Sequence, residues 1–571
     1  MFVKTTRRHR GDKHYEYLSL VEAVREGGKV GHRTLLRLGE VTALRESGQL
    51  DRIIAALVAH AERPWAALDE AEAASAGSVG VVAAVHSVWD ALGLGAHFAE
   101  VGRGRRLSYA LDDAVFAMVA NRLADPCSKR RLPEWLACDV AMPAGFVAPE
   151  LDQLYRALDQ VEAAKADTER HLYARLTDLA NLDLRLVCYD LTSTYFEGSV
   201  KPSEAFPSRA FGYSRDHRGD RPQIVIGLLT TADGVPIAHH VFAGNTADVT
   251  TLAGVLSDLR SRFGVGGICV VADRGLVSAD NLESLAAQGF SHVLATRLHR
   301  DPACAAALEA SSAKGTVWVA VPEARSGACE VVVDGRRHVV VASFERYQRD
   351  RARTAELVAS TEEALRALER RVRDAKLVDA AKIGRAAQRI LGESGVGRLF
   401  DVEMGKGKFL WHYDDEAMAY EAALAGRYVL TTSLTVAQAS TAAVVRSYRQ
   451  LLETEDRFRV LKDFLRVRPV RHWTERRVRG HVAVCVYAAV IEAFVARALR
   501  DADVRDPDVA DQHLSAPRAL RELGRIRAVT LDVDGSTVEL TTRRSDLQGR
   551  ILAVLGVDTS GWDKAHITAR R

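Results

Sequence analysis

Cysteine is scarce in this 571-residue sequence, and no two cysteines form a Cys-x-x-Cys pair. The seven positions are Cys127, Cys138, Cys188, Cys269, Cys304, Cys329 and Cys485. Such scattered positions argue against a zinc ribbon and against a disulfide framework. The cysteine pattern instead indicates a reducing cytoplasm.

Long hydrophobic runs are also missing. The longest apolar stretch, residues 482–495, is shorter than the roughly 20 residues that span a bilayer and contains Glu492. We therefore expect a buried helix there and no membrane association. The first ten residues are basic and no apolar run follows them, so we expect no signal peptide.

The sequence has neither a strong net charge nor an internal repeat. Its formal charge is only +3, so overall charge does not identify a nucleic-acid binder and local charge must do so. An apolar fraction of 47% and a charged fraction of 27% are typical of globular proteins. Because a single core rarely grows past about 250–300 residues, the length predicts several domains.

Local composition predicts six segments. They are a basic β-like arm at 1–45, a helical region at 46–180, the first part of an α/β core at 181–299, an insert with strands and charged helices at 300–425, the second part of the core at 426–500, and a C-terminal region at 501–571.

Cations cluster at two places before residue 180. Four of them lie between residues 7 and 13, where a solvated tail and a DNA contact are both open interpretations. Lys129, Arg130 and Arg131 precede a predicted helix start near Trp135. This arrangement is typical of a helix that docks on phosphates, and a helical bundle with a charged surface is the alternative.

Short apolar strands and helices alternate after residue 182. Strands are predicted at 185–190, 223–230, 235–242, 267–273 and 292–296, with helices near 249–263 and 278–288. The first three strands can pair antiparallel, and the later ones can join in parallel through crossover helices. This order predicts an α/β fold with a ribonuclease-H-like mixed sheet, a strand-containing insert, and a helical region before it.

Two of the predicted strands end in a carboxylate, at Asp190 and Asp273. The two strands can be neighbours in such a sheet. Since sites on open α/β sheets tend to form at strand ends, we expect both side chains in one site.

A later segment, 448–462, predicts an uninterrupted helix with Tyr448, Glu455 and Lys462 spaced seven residues apart. Seven residues are almost two helical turns, so the three side chains share a face. Apolar residues lie on or beside this face: Leu451, Leu452, Phe458 and Leu465. Glu455 is thus predicted to face inward, where it needs a cation, a hydrogen-bond donor or a metal. Pairing with an inward-facing Arg or Lys is the alternative.

Three carboxylates at Asp190, Asp273 and Glu455 would repel one another unless divalent cations neutralise them. Oxygen ligands suit Mg²⁺, and a pair of such ions can promote displacement at phosphorus. Residues 446–479 contain eleven Arg or Lys against five Asp or Glu, a local charge of +6, which favours a phosphodiester substrate. The competing acids are Glu453, Asp456 and Glu475, and none of them has both the inward face and the Tyr/Lys spacing.

The spacing of Tyr448, Glu455 and Lys462 resembles the YREK signature of DDE transposases from bacterial insertion sequences. The resemblance is to the insertion-sequence-four superfamily, and within it to the branch numbered sixteen thirty-four. The segments around Asp190 (Tyr-Asp-Leu-Thr-Ser-Thr-Tyr-Phe) and Asp273 (Ala-Asp-Arg-Gly) are similar to that branch, as is Arg-Pro-Val-Arg-His-Trp after the helix. The similarity covers residues 1–500, but Leu451 replaces the Arg of the signature.

The resemblance implies that Asp190, Asp273 and Glu455 bind two Mg²⁺ ions, with Mn²⁺ as a substitute. It implies nicking of DNA at the ends of the element and attack of the freed 3′-hydroxyl on target DNA. A hairpin intermediate and a flipped base, stacked on Trp318 or Trp411, are typical of the superfamily. A homodimer on paired ends and a location on the cytoplasmic nucleoid are further expectations.

The resemblance implies that the helical region and the basic N-terminal arm would read the terminal inverted repeats. Arg449 and Arg459 are candidate substitutes for the missing signature Arg. The residues expected to contact DNA are Tyr448, Lys462, Arg459, Arg449, Arg274, Lys129, Arg130 and Arg131.

Two other functions fit parts of the sequence. One is a degenerate transposase that only binds DNA, which the presence of all three carboxylates disfavours. The other is a haloacid-dehalogenase-like phosphohydrolase with Asp190 as nucleophile, since Asp-Leu-Thr-Ser-Thr loosely resembles its loop. That chemistry needs a second acid two residues on, where Thr192 stands.

Overall fold

The structure is a computed structural model that describes residues 1–10, 13–26, 29–58, 60, 71–180, 185–198, 206–263, 268–276, 278–296, 301–509, 511–533, 536–562 and 566–569. Its strands, in chain order, are β1 (Phe2–Arg10), β2 (Lys13–Glu26), β3 (Lys29–Glu40), β4 (Ala71–Ser78), β5 (Leu186–Tyr195), β6 (Gln223–Thr231), β7 (Pro236–Ala243), β8 (Cys269–Ala272), β9 (Ser291–Ala295), β10 (Trp318–Val321), β11 (Ser326–Val333), β12 (Arg336–Ala342), β13 (Phe400–Gly405), β14 (Lys408–Tyr413), β15 (Arg427–Thr432), β16 (Arg527–Val533), β17 (Ser536–Thr541) and β18 (His566–Ala569).

The α-helices are α1 (Val41–Glu46), α2 (Gln49–Val58), α3 (Gly80–Ala91), α4 (Leu94–Gly104), α5 (Leu111–Ala124), α6 (Leu132–Cys138), α7 (Leu151–Ala163), α8 (Lys165–Ala180), α9 (Leu252–Phe263), α10 (Ala279–Ala287), α11 (Pro302–Ser311), α12 (Phe344–Arg373), α13 (Ala380–Glu393), α14 (Asp415–Leu424), α15 (Thr441–Arg449), α16 (Leu451–Arg459), α17 (Glu475–Asp501), α18 (Ala516–Leu523) and α19 (Asp546–Val554). A π-helical turn, Val460–Phe464, directly follows α16.

The chain divides into two compact units. The first contains residues 1–76, 528–542 and 560–571, and the second contains residues 77–527 and 543–559. In the first unit, β1, β2 and β3 form an antiparallel sheet, and a second sheet has the order β18-β17-β16-β4. The β-like arm predicted at the N-terminus is confirmed. The six predicted segment boundaries stay a prediction.

The second unit is built on one mixed sheet, which contains nine strands within the described ranges, in the order β10-β11-β12-β15-β9-β8-β5-β6-β7. Strands β5, β6 and β7 pair antiparallel, and β5, β8 and β9 pair in parallel. Helices α9 and α10 make the predicted crossovers, and the Ser278 hydroxyl caps α10 by accepting a hydrogen bond from the Asn281 backbone N–H. The ribonuclease-H-like α/β order is therefore confirmed.

The first part of the segment predicted as an insert adds strands to this sheet, and the next part packs around a core of its own. Strands β10, β11 and β12 extend the sheet beyond β15 by antiparallel pairing. The charged helices predicted within the insert are α12 and α13, which are separated by Ala375 with a positive φ of 56°. These helices and the β13-β14 hairpin share their own apolar core, which includes Leu365, Ile383 and Phe400.

The predicted buried apolar helix is confirmed as α17. By length and composition alone it qualifies as a candidate membrane span, yet 78% of that apolar window is buried inside the protein, so it is a core helix. Its internal acid, Glu492, accepts a hydrogen bond from Arg457 of α16, and both residues are buried. The ion pair makes burial of Glu492 tolerable and fixes α16 against α17.

Candidate active site

Asp190 and Asp273 lie side by side on neighbouring parallel strands. The pairing of β5 with β8 ends at Tyr189 and Ala272, and the two aspartates are the next residues on each chain. The prediction that Asp190 ends its strand is wrong, because β5 continues to Tyr195 by pairing with β6. The site therefore lies at the end of β8, beside the middle of the longer strand β5.

Strand alternation sets the face on which the aspartates project. Cys188 and Val271, two residues before Asp190 and Asp273, pack in one core cluster with Val444 and Leu451 of helices α15 and α16. Because residues two apart share a face of a strand, both aspartates project toward these helices. The opposite face, with Tyr189 and Ala272, packs in a different cluster under α9.

The helix that carries Glu455 is not continuous, in contrast to the prediction. Helix α15 ends at Arg449, α16 starts at Leu451, and the π-helical turn then carries Lys462. Glu455 is exposed rather than inward-facing, and Leu452 is 49% exposed. The buried face of α16 carries Leu451 and Phe458, as predicted, together with the polar residues Thr454 and Arg457.

The three carboxylates nevertheless act on one another. Burial raises the pKa of Asp190 to about 7, the Leu191 N–H opposes this rise, and the charges of Asp273 and Glu455 add to it. The pKa of Glu455 is raised by desolvation and then by Asp273. Asp190 also accepts a hydrogen bond from the Leu191 backbone N–H at 2.7 Å. Carboxylates from three distant parts of the chain thus share one electrostatic site.

The competing acids have other environments. Asp456 pairs with Arg459 at 2.9 Å, and Glu475 accepts hydrogen bonds from Ser208 and Arg479. The backbone and Cβ of Glu453 lie against Gly234, at the turn between β6 and β7. None of these contacts brings the acid to Asp273.

The donor set fits divalent metals that prefer oxygen. Across the described ranges, no three His, Cys, Asp or Glu side chains lie close enough together to hold an ion by themselves. Mg²⁺ does not need three, since it keeps several waters and takes one or two carboxylates together with substrate phosphates. A buried carboxylate such as Asp190, whose pKa two neighbouring carboxylates raise further, is the kind of group that such ions would stabilise.

Tyr448 has a different position from the predicted phosphate contact. Its ring is largely buried beside Tyr428, and its hydroxyl donates to Asp273 Oδ1 at 3.3 Å. Burial raises the pKa of Tyr448, and the Asp273 carboxylate adds to the rise, so the hydroxyl stays protonated and can donate. Tyr448 is therefore a positioning residue for Asp273 in this structure.

Two family descriptions match the chain. Residues 182–491 match the family described as transposase DDE domain, and residues 2–71 match IS1634 family transposase, N-terminal domain. The chain belongs to the DDE transposases. The N-terminal match assigns the transposase to the IS1634 family, as the sequence resemblance predicted.

Solved transposase structures are only distantly similar. The piggyBac transposase synaptic complex with hairpin DNA is 10% identical, with a TM-score of 0.35 and coverage of 78% of this chain and 79% of that one. The Mos1 transposase paired-end complex with left transposon end is 13% identical, with a TM-score of 0.14 and coverage of 31% and 57%. No curated protein matches the transposase.

Lys462 is engaged inside the protein rather than free for phosphate. Its Nζ donates to Asp216 Oδ1 at 2.8 Å, and Arg468 donates to the same oxygen. The Asp216 side chain is only 5% exposed, so its charge is compensated mainly by these two cations. Sequence reasoning missed Asp216 because its partners lie about 250 residues away, although the charged segment 213–220 was visible.

We expect Asp216→Asn to destabilise the transposase by about 3 kcal/mol, because it leaves two partly buried cations without their counter-charge. Chemical denaturation followed by circular dichroism measures this change. Asp220→Asn is the matched control, since Asp220 is on the same loop but its side chain is 59% exposed and pairs with Arg218. An Asp216→Asn variant as stable as the control would contradict the assigned ion pairs.

We expect Tyr448→Phe to slow DNA cleavage about tenfold without weakening end binding, because one hydrogen bond to a carboxylate is worth about 1.5–3 kcal/mol. Single-turnover cleavage and a gel-shift assay measure the two quantities. Tyr428→Phe, on the neighbouring ring, is the control. Equal rates for both variants would remove the positioning role.

The other residues predicted to contact DNA include one buried side chain and several exposed ones. Lys129 is buried, so its prediction as a surface phosphate contact is wrong; burial lowers its pKa to about 7, with Arg122 adding to the effect. Arg130 is exposed, as are Arg131, which lies 3.7 Å from Asp139, and Arg459. The other two predictions concern Arg449 and Arg274.

Arg449 is exposed and donates to the Ala324 carbonyl at 3.3 Å. Arg274 begins a 3-10 turn directly after Asp273, and its side chain lies outside the described residues. In the N-terminal arm, Arg7 pairs with Glu16 at 2.7 Å. The side chains of Arg10 and Lys13 again lie outside what is described.

The two tryptophans expected to stack on a base differ in environment. Trp411 packs against Phe400 with ring centroids 5.9 Å apart and fills the edge of a core. Trp318 is 38% exposed on strand β10, at the edge of the sheet.

Arg215 was also missed. It donates to Asp248 at 2.6 Å, its charge lowers the pKa of Asp190, and its backbone N–H donates to Ser193 of β5. Arg215 is a cation close to the carboxylate site.

Proposed function

We propose that this transposase nicks DNA at the ends of its insertion sequence and joins the freed ends to target DNA, with Asp190, Asp273 and Glu455 as the catalytic carboxylates. One observation supports this assignment above the others. Carboxylates from β5, from the end of β8 and from α16 share one face of the sheet: besides burial, the charges of Asp273 and Glu455 raise the pKa of Asp190, and the charge of Asp273 raises the pKa of Glu455.

Asp190, Asp273 and Glu455 are the residues that would hold two Mg²⁺ or Mn²⁺ ions. Ions bound there would activate the attacking oxygen and stabilise the leaving one at the phosphorus. The protein's own contribution is positioning. Tyr448 orients Asp273 through its hydroxyl, and the Leu191 N–H holds Asp190 on the strand.

DNA is the expected partner, as terminal inverted repeats and as target. The exposed cations Arg130, Arg449 and Arg459 and the N-terminal unit are proposed to contact it. A homodimer on paired ends, in the cytoplasm on the nucleoid, is part of the same proposal. The inverted repeats themselves can be found by sequencing the DNA that flanks the gene.

The test is strand cleavage of oligonucleotide duplexes that carry those repeats, with Mg²⁺, with Mn²⁺ and with chelator. The proposal expects nicks at the repeat boundary only when a divalent ion is present. Binding without cleavage under all conditions would instead assign a degenerate transposase that only binds DNA. Trapping of an aspartyl-phosphate at Asp190 would assign a phosphohydrolase.

A further inference from the structure

Arg215 lies in the segment between β5 and β6 and is fixed to the strand that carries Asp190. Its backbone N–H donates to Ser193 Oγ at 3.0 Å, and Ser193 is three residues beyond Asp190 on β5. The pairing of β5 with β8 ends at Tyr189, so this hydrogen bond lies past the point where β8 has stopped. Arg215 is therefore attached to the free part of the strand that carries one catalytic aspartate.

The guanidinium of Arg215 is held beside the turn that follows the other catalytic aspartate, Asp273. Its Nη2 donates to Asp248 Oδ2 at 2.6 Å. The same Asp248 oxygen lies 3.2 Å from the point where a Cβ on Gly275 would stand, and Gly275 is two residues beyond Asp273. Since a larger residue there would crowd the carboxylate, the glycine lets Asp248, and with it Arg215, approach the end of β8.

A buried amide joins the two turns on which this ion pair depends. Asn281 of α10 is only 5% exposed, and its Nδ2 donates to the Val249 carbonyl at 2.8 Å and to the Leu276 carbonyl at 2.7 Å. Val249 is the neighbour of Asp248, and Leu276 belongs to the turn that follows Asp273. The amide therefore fixes the turn that orients Arg215 against the turn that leaves the site.

The segment is also fixed on the other side of Arg215. The next residue, Asp216, is the buried acid that Lys462 and Arg468 engage. The Arg215 side chain is nevertheless 24% exposed, and one carboxylate uses only part of the five N–H donors of a guanidinium. A planar fork that is held in place, with further donors and access from solvent, can receive an incoming anion.

Arg215 differs from the cations around α16 in where its contacts lead. Lys462 is taken up by an acid of the β5–β6 segment, and Arg459 pairs within α16. Arg215 is instead tied to the chain neighbours of both catalytic aspartates. Burial raises the pKa of Asp190, and the Arg215 charge opposes that rise, so this charge acts on the carboxylate site.

We propose that Arg215 is a further catalytic residue, which donates hydrogen bonds to a non-bridging oxygen of the phosphate at the nick, and that Asp248 is its positioning residue. The proposal rests on the proposed function for its choice of a DNA phosphodiester as substrate. During displacement at phosphorus, negative charge is spread over the non-bridging oxygens, and a planar guanidinium matches their geometry. The guanidinium keeps its proton throughout, because its charge and its donors are what the phosphate engages.

The first test measures binding in Ca²⁺, which also takes oxygen ligands, and so needs no cleavage. Repeat duplexes carry either the natural phosphate or a neutral methylphosphonate at the repeat boundary, and fluorescence anisotropy measures their affinity for the full chain. The wild type should bind the neutral duplex more weakly. This loss should be about tenfold smaller in Arg215→Ala, which is the order expected of one charge-assisted hydrogen bond.

Two controls accompany this measurement. Arg218→Ala changes a cation of the same segment that pairs with the exposed Asp220, and it should keep the wild-type loss. A methylphosphonate placed well inside the repeat should weaken binding equally in the wild type and in Arg215→Ala. If thermal melts show that Arg215→Ala is unfolded, Arg215→Gln, which keeps the length of the side chain without its charge, carries the same expectation.

The role of Asp248 is tested by a double-mutant cycle on single-turnover cleavage in Mg²⁺. We expect Arg215→Ala to slow cleavage about a hundredfold, Arg215→Lys to recover part of the rate, and Asp248→Asn to slow cleavage about tenfold. The variant with both Arg215→Ala and Asp248→Asn should be no slower than Arg215→Ala alone, because Asp248 acts through Arg215. Additive losses would contradict the positioning role.

A loss on the neutral linkage that is the same in Arg215→Ala as in the wild type would overturn the proposed contact. An equal reduction of that loss in Arg218→Ala would overturn it too. An Arg215-dependent loss without any cleavage would support the phosphate contact and refute the proposed nicking. Cleavage at the boundary with a loss that does not depend on Arg215 would refute the contact alone.

Discussion

Glu455→Gln is expected to reduce divalent-metal-dependent DNA cleavage at least a thousandfold while end binding stays within about twofold. The substitution keeps the shape of an exposed side chain on α16, so the fold loses little. It removes one of the negative charges that would hold a metal, and several kcal/mol of transition-state stabilisation depend on such an ion. Single-turnover cleavage of repeat duplexes and gel-shift titration measure the two effects.

Glu453→Gln is the matched control for this prediction. It lies on the same helix and carries the same charge, but its backbone and Cβ pack against Gly234 at another turn. We expect it to cleave at the wild-type rate. Undiminished cleavage by Glu455→Gln, or equal losses in both variants, would remove Glu455 from the site.

The strand order of the core could be predicted from sequence because each strand is short, apolar and bounded by turn residues. Asp190 and Asp273 were identified by their positions after apolar runs, and the parallel pairing of β5 with β8 places them together. The exact end of β5 could not be predicted. It depends on β6, which continues to pair where β8 has stopped.

The orientation of Glu455 was mispredicted for a physical reason. The buried face of α16 contains two polar residues, Thr454 and Arg457, which an apolar pattern does not reveal. Thr454 shares a hydrogen bond with Thr230 at 2.7 Å, and Arg457 pairs with Glu492. Both partners are distant in sequence. The apolar pattern therefore placed Leu452 on the inward face, whereas its side chain is exposed.

The cations were the least predictable part. A positive charge in a sequence indicates affinity for phosphate only if no internal acid takes it up. Lys462 is engaged by Asp216 and Lys129 is buried beside Arg122, and neither fact follows from local spacing. The two aspartates could be predicted because the topology of the sheet places the ends of neighbouring strands side by side. Ion pairs depend on side-chain packing, which the sequence pattern does not reveal.

In the absence of metal, Asp190→Asn is expected to stabilise the transposase above pH 7 by roughly 2 to 4 kcal/mol. The folded pKa of Asp190, about 7, lies above the ordinary value of 3.8 for this group. Protonated Asp190 therefore makes its full contribution to the stability of the fold below about pH 4. This contribution is lost as the pH rises through 7, the folded pKa. Asparagine cannot ionise, so the stability of the variant does not fall in this pH range for this reason.

Thermal unfolding in chelator between pH 4 and pH 8 measures the difference, which should grow with pH and level off above 7. Added Mg²⁺ should raise the melting temperature of the wild type and leave Asp190→Asn almost unchanged, because an ion bound to the folded state stabilises it by mass action. Asp258→Asn is unsuitable as a control, since Asp258 pairs with Arg262; Asp280→Asn, exposed at the start of α10, is suitable. A wild type whose metal-free stability is flat across this range would show that Asp190 is not held among uncompensated carboxylates, and the shared metal site would lose its main support.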